Sequence, residues 1–138
     1  MPVILEWSNQ LATEHPLIDE QHQVMITMIN HLHTCITEPA QRPDFSARLE
    51  LLCNYAMEHF ATEEQLMQQQ HYPHLARHQA QHVLLTQQAY ALNQRFLGGD
   101  LPLDSSVSEA LREWFMDHIQ GEDRELGLFL LQQRTPPD

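Results

Sequence analysis

Residues 59–67 read HFATEEQLM, inside a segment whose apolar stripe runs Leu49, Leu52, Ala56, His59, Glu63, Leu66. The spacing alternates between 3 and 4, which is helical and marks one face of a helix packed on a core. A histidine and a carboxylate thus take two rungs of a stripe that should be apolar. Burying an unpaired carboxylate is costly, so either this is not the core face or something in the core pairs with these side chains.

The rest of the chain divides at its helix breakers, Pro16, EPAQRP at 38–43, HYP at 71–73 and GGDLPLD at 98–104. Pro73 suits the first turn of a helix, Gly98 a C-cap, and Ser106 with Glu109 a capping box. Between the breakers the other stripes are Ile18, His22, Met25, Ile29, Leu32, Ile36; then Leu75, His78, His82, Leu85, Ala89, Leu92, Phe96; then Leu111, Phe115, His118, Asp123, Leu126, Leu130. Four amphipathic helices joined by short loops predict an all-α, up-down-up-down antiparallel four-helix bundle. Residues 1–16 form an N-terminal arm and 17–138 a single bundle domain. The step of five from His118 to Asp123 is too long for a straight α-helical stripe and predicts a π-bulge there.

Every helix carries the same fault: His22 on the first, His59 and Glu63 on the second, His78 and His82 on the third, His118 and Asp123 on the fourth. Their heights agree. His22 lies about 15 residues before the end of its helix and His59 about 15 after the start of the next, which puts both roughly 22 Å from the intervening loop. Counting around the other two turns brings the remaining pairs to the same layer. Five imidazoles and two carboxylates in one buried layer are a metal site, for which imidazole suits iron, copper, zinc and nickel. Seven ligands exceed what one ion takes, so two ions are implied, with the carboxylates able to bridge. Two octahedral irons sharing a solvent oxygen would keep one position open, where dioxygen could bind. Glu-x-x-His, used by ferritin-like di-iron enzymes, is missing, and HQAQH lacks the glutamate of zinc proteases. Imidazole-rich ligation favours reversible binding over substrate oxidation.

IDEQH at 18–22, HFATEE at 59–64, YPHLARHQAQH at 72–82 and WFMDHIQGED at 114–123 together resemble the hemerythrin family in its bacterial single-domain form, across nearly the whole chain. The resemblance implies that His78, His82 and His118 hold one iron, His22 and His59 the other, and that Glu63 and Asp123 bridge beside an oxo or hydroxo oxygen. The open position is then on the two-histidine iron, where dioxygen binds and takes two electrons from the pair. Phe115 departs from the leucine expected three residues before the histidine.

Other features set limits. The 138 residues carry a net charge of −12 with neutral histidines, which argues against nucleic acid and against anionic membranes. No apolar run approaches the roughly 20 residues of a membrane span, and the N-terminus lacks a secretory signal pattern, so a cytoplasmic protein is expected. Cys35 and Cys53 read as small core residues. His15, His31, His33, His71 and His74 read as arm, surface or core-edge residues. Glu64, about 100° off the stripe, reads as solvated; Trp7 and Trp114 read as packing residues. Asp19, Glu58 and Asp117 are candidate partners for the outer nitrogens of metal-bound histidines. The function expected is non-enzymatic: oxygen storage, delivery to an oxygen-using enzyme, or scavenging. The alternatives are sensing through a separate signalling partner and di-iron oxidase, peroxidase or nitric-oxide chemistry.

Overall fold

The computed structural model describes residues 3–134. Helix α1 spans Pro16–Thr37, α2 Phe45–Gln69, α3 Leu75–Leu97 and α4 Ser105–His118; a π turn, Ile119–Asp123, leads directly into α5, Arg124–Arg134. The last three follow one another without a loop and count as one helix, so the architecture is an antiparallel four-helix bundle. Helix α2 packs against both α1 and α3, and α4 closes against α1. No helix among the described residues is long and apolar enough to cross a membrane.

Local chemistry sets the boundaries. Pro16 occupies the first turn of α1, where its missing N–H costs nothing, and the His15 ring accepts from the Ile18 N–H. A 3₁₀ turn, Pro39–Asp44, links α1 to α2. Gly98 caps α3 as expected, and Gly99 at φ 80° supplies the left-handed step that turns the chain away. Two expectations fail. Helix α4 is capped by Asp104, whose carboxylate accepts from the Ser106 N–H at 3.0 Å, so the Ser106–Glu109 box does not form. Asp104 wins because it stands one residue outside the helix, where a side-chain oxygen can reach back to the free N–H groups. Pro73 lies before the α3 cap His74 rather than in the first turn.

The core is split. A large apolar cluster built around Leu32, Phe45, Leu49 and Leu111 fills the end of the bundle near the α1–α2 loop. A small one, Ile18, Met67, Tyr72, Leu126 and Leu130, fills the opposite end. Each fully buried side chain of this kind contributes about 1.5–3 kcal/mol, and the polar layer lies between the two clusters. The arm completes the larger cluster with buried Leu5 and Leu11 and half-buried Trp7. The Asn30 side chain pairs with arm backbone as a strand would, accepting from the Ile4 and Leu5 N–H groups at 3.0 and 3.1 Å and donating to the Leu5 carbonyl at 3.0 Å. Thr13 is tied to Asp19 by two 2.8 Å bonds. Gly127 permits the arm to lie this close, since a Cβ there would stand 2.2 Å from the Thr13 carbonyl oxygen.

Candidate metal centre

The seven faults in the helical stripes converge. His22 on α1, His59 and Glu63 on α2, His78 and His82 on α3, His118 at the end of α4 and Asp123 at the end of the π turn are all buried. The π turn is the device that seats the last of them. In a regular α-helix, residues five apart point about 140° away from each other. One extra residue in the turn restores the face, and Asp123 Oδ1 comes within 3.1 Å of His118 Nε2.

All five histidines turn Nε2 toward the two carboxylates. Glu63 Oε1 lies 3.4, 3.7 and 3.1 Å from the Nε2 atoms of His59, His78 and His82. Asp123 Oδ1 lies 3.0 Å from His78 Nε2, while Oδ2 lies 2.8 Å from His22 Nε2. Asp123 therefore faces two groups with its two oxygens. The donors form two overlapping sets, Glu63, His78, His82, His118 and Asp123, and His22, His59, Glu63 and Asp123. Within each set the ligand atoms lie within 4.8 Å of one another.

Electrostatics and hydrogen bonding fit a cation here. Among the described residues, ten of the eleven buried side-chain N and O atoms without a hydrogen-bond partner belong to six of these seven side chains. Several of those atoms approach to about 3 Å yet are not aligned as donor and acceptor; shared metal ligands would show that pattern. Burial drives the His59 imidazole down to about 3 and His82 down to about 2, with neighbouring histidines adding to the effect, so both are neutral donors. Burial and then the adjacent Asp123 push the Glu63 carboxyl well above its ordinary range. Burial acts upward on Asp123 too, but His118, His22 and His78 outweigh it and hold it well below. Two carboxyl groups that cannot both ionise in a dry pocket need positive charge between them.

Residues 13–129 match the family described as Hemerythrin HHE cation binding domain. The chain belongs to the hemerythrin family. It is 32% identical to a bacteriohemerythrin of Stenotrophomonas maltophilia, over 88% of this chain and 78% of that one. A bacteriohemerythrin of Methylococcus capsulatus is 27% identical, over 90% and 95%. A crystal structure of wild-type hemerythrin has a TM-score of 0.83 and 28% identity, covering 91% of this chain and 97% of that one.

An apolar cavity of about 80 Å³ adjoins the cluster on the side of the larger core. His22, His59, His118 and Asp123 line it, with Leu52, Ala56, Leu85 and Phe115 among its other walls; His78 and His82 do not. The Phe115 ring stands edge-on to His22 at 6.0 Å between centroids. Trp114 is half-buried and also lines the cavity, as does Cys53, whose thiol is pushed upward by burial and then by Glu50. Cys35 is buried, and both cysteines are free.

The outer partners of the histidines are not the ones expected. Asp19 is engaged by Thr13 in the arm, and Glu58 and Asp117 are exposed. Instead His59 Nδ1 donates to Gln21 Oε1 at 2.6 Å and His82 Nδ1 to Glu64 Oε2 at 2.9 Å. Glu64 is not simply solvated: its side chain is 28% exposed and also accepts from Gln79. The hydrophobic stripe gave no sign of either partner, because both belong to the flank of their own helix and reach a ring on another. The remaining histidines lie apart from the cluster. His71 is exposed in the α2–α3 turn, His74 pairs with Glu125 at 3.5 Å, His31 faces Arg48, and His33 bonds Ser108 at 2.7 Å.

Proposed function

We propose that this protein binds dioxygen reversibly at a pair of non-haem irons held by His22, His59, Glu63, His78, His82, His118 and Asp123. The single observation that carries the reading is the two overlapping donor sets, which share Glu63 and Asp123 and differ in their histidines. His78, His82 and His118 would hold one iron and His22 and His59 the other, with Glu63 and Asp123 as the shared carboxylates. When bound, the iron pair supplies the two electrons that dioxygen takes up on binding and returns on release.

The chain's own residues do the rest. The helices hold all five histidines buried, and burial keeps His59 and His82 neutral, so their nitrogens are free to act as ligands without losing a proton first. The cavity walls are mostly apolar and suit a small uncharged molecule. The cavity meets both histidines of the two-histidine set but only His118 of the other, so a molecule arriving through it meets the half with fewer histidines through its whole histidine complement. Phe115, packed against His22, narrows that approach. Storage, delivery and scavenging all draw on this one property.

The test is a spectroscopic cycle on the metal-free chain loaded with two ferrous ions without air. Colour should develop on adding oxygen and vanish on removing it, over repeated cycles. Prompt, irreversible conversion to the ferric state with release or consumption of peroxide would overturn the carrier reading in favour of an oxidase or peroxidase.

A further inference from the structure

The two halves of the cluster are backed differently. Five histidines point Nε2 inward, but two Nδ1 atoms have hydrogen-bond partners, and those partners differ in charge. Behind His82 stands the carboxylate of Glu64, at 2.9 Å; behind His59 stands the neutral amide oxygen of Gln21, at 2.6 Å. The Nδ1 atoms of His22, His78 and His118 are buried without a hydrogen-bond partner among the described residues. His82 belongs to the set with three histidines, His59 to the set with two.

The Glu64 contact is built rather than incidental. Gln79 Nε2 donates to the other Glu64 oxygen at 3.0 Å and holds the carboxylate in place. The His82 ring is stacked on Phe60, 3.9 Å between centroids and 10° from parallel, which favours the orientation that faces Glu64. Glu63 and Glu64 are neighbours, and one helical step of about 100° sends one carboxylate into the cluster and the other around to the back of His82. A single dipeptide thus grips one imidazole at both nitrogens, Nε2 to Glu63 at 3.1 Å and Nδ1 to Glu64 at 2.9 Å.

A carboxylate accepting the outer N–H of an imidazole fixes its tautomer and strengthens the inner nitrogen as a ligand, and a neutral amide does so less. We propose that Glu64 is a positioning residue that acts through His82 to make the three-histidine position the tighter metal site. Gln21 leaves the two-histidine position the weaker one. This rests on the two-metal reading above. The pair of outer partners adds an inequality of charge to the inequality in histidine number, so metal loads in a defined order.

The experiment is stepwise titration of the metal-free full-length chain with cobalt(II) alone, read by calorimetry and by the visible absorption of bound cobalt. The wild type should take two ions in two resolved steps. Glu64→Gln should weaken the first step about tenfold or more, shift its absorption band and leave the second step unchanged. Gln21→Glu should strengthen the second step and bring the two closer together. Glu58→Gln, at an exposed position on the same helix, should alter neither. A first step within twofold of wild type in Glu64→Gln overturns the proposal, as does equal weakening of both steps. So does a second step that Gln21→Glu leaves unchanged. A wild type that takes fewer than two cobalt ions overturns the two-metal reading itself, and this proposal with it.

Discussion

Phe115 stands where the two-histidine half of the cluster meets the cavity, its ring edge toward His22. Its place on the core stripe is legible from spacing alone, whereas the space in front of it is not. A leucine would remove the aromatic contact and widen the approach, at a cost of roughly 1 kcal/mol in packing. Phe115→Leu should therefore release dioxygen and autoxidise severalfold faster, measured by stopped-flow dissociation and by the decay of the oxygenated spectrum. Equal off-rates and equal autoxidation in the two proteins would show that the ring does not guard the site. Glu64 teaches the complementary lesson. Its neighbour Glu63 is marked by the stripe, but a glutamate one step around the helix looks the same whether it meets water or the back of a histidine on α3.

At the scale of the element, the π turn is the part of the site most directly written in the spacing. The step of five from His118 to Asp123 requires an extra residue in one turn, and Ile119–Asp123 is where the helix takes it up. Register, rather than glycine flexibility, accounts for the turn. Gly121 does not take a positive φ, and a Cβ built there meets nothing within 4 Å. Gly121→Ala should therefore stabilise the metal-free chain by about 0.5–1 kcal/mol, through the lower entropy of the unfolded state, and leave the metal count unchanged. A fall in urea midpoint would mean that the π turn depends on glycine after all. The α4 cap shows the limit of local reading. Asp104 and Ser106 both have the chemistry of an N-cap, and only the direction in which the 98–104 loop approaches decides between them.

For the whole molecule, the polar layer divides the core into two apolar clusters that touch all four helices. Among the described residues, that layer contains ten buried atoms without a hydrogen-bond partner and a pair of carboxyl groups in conflict over charge. Metal binding is then also a folding contribution, since the unfolded chain has no assembled site. At free metal about a thousandfold above its dissociation constant, the gain is about 4 kcal/mol, or roughly 14 °C in melting temperature for a chain of this size. Chelator treatment should lower the Tm by that order, and returning the metal should restore it, both followed by circular dichroism at 222 nm. Equal melting temperatures with and without metal would show that the layer is stable by itself and would weaken the case for it as a metal centre.

Helix periodicity is a property of consecutive residues, so the sequence alone determined the four helices, their breaks, the seven polar rungs, their common height and the π turn between His118 and Asp123. Each of these follows from counting along one chain at a known rise and angle per residue. What the fold alone decided depends on contacts between residues far apart in the chain. Gln21 lies 38 residues from His59, and Glu64 lies 18 from His82. Asn30 lies 25 from Leu5, and the cavity draws its walls from four helices. No local pattern encodes such pairs, because a polar side chain on a helix flank has the same sequence signature in water as against another helix. Packing the bundle settles which of the two it meets.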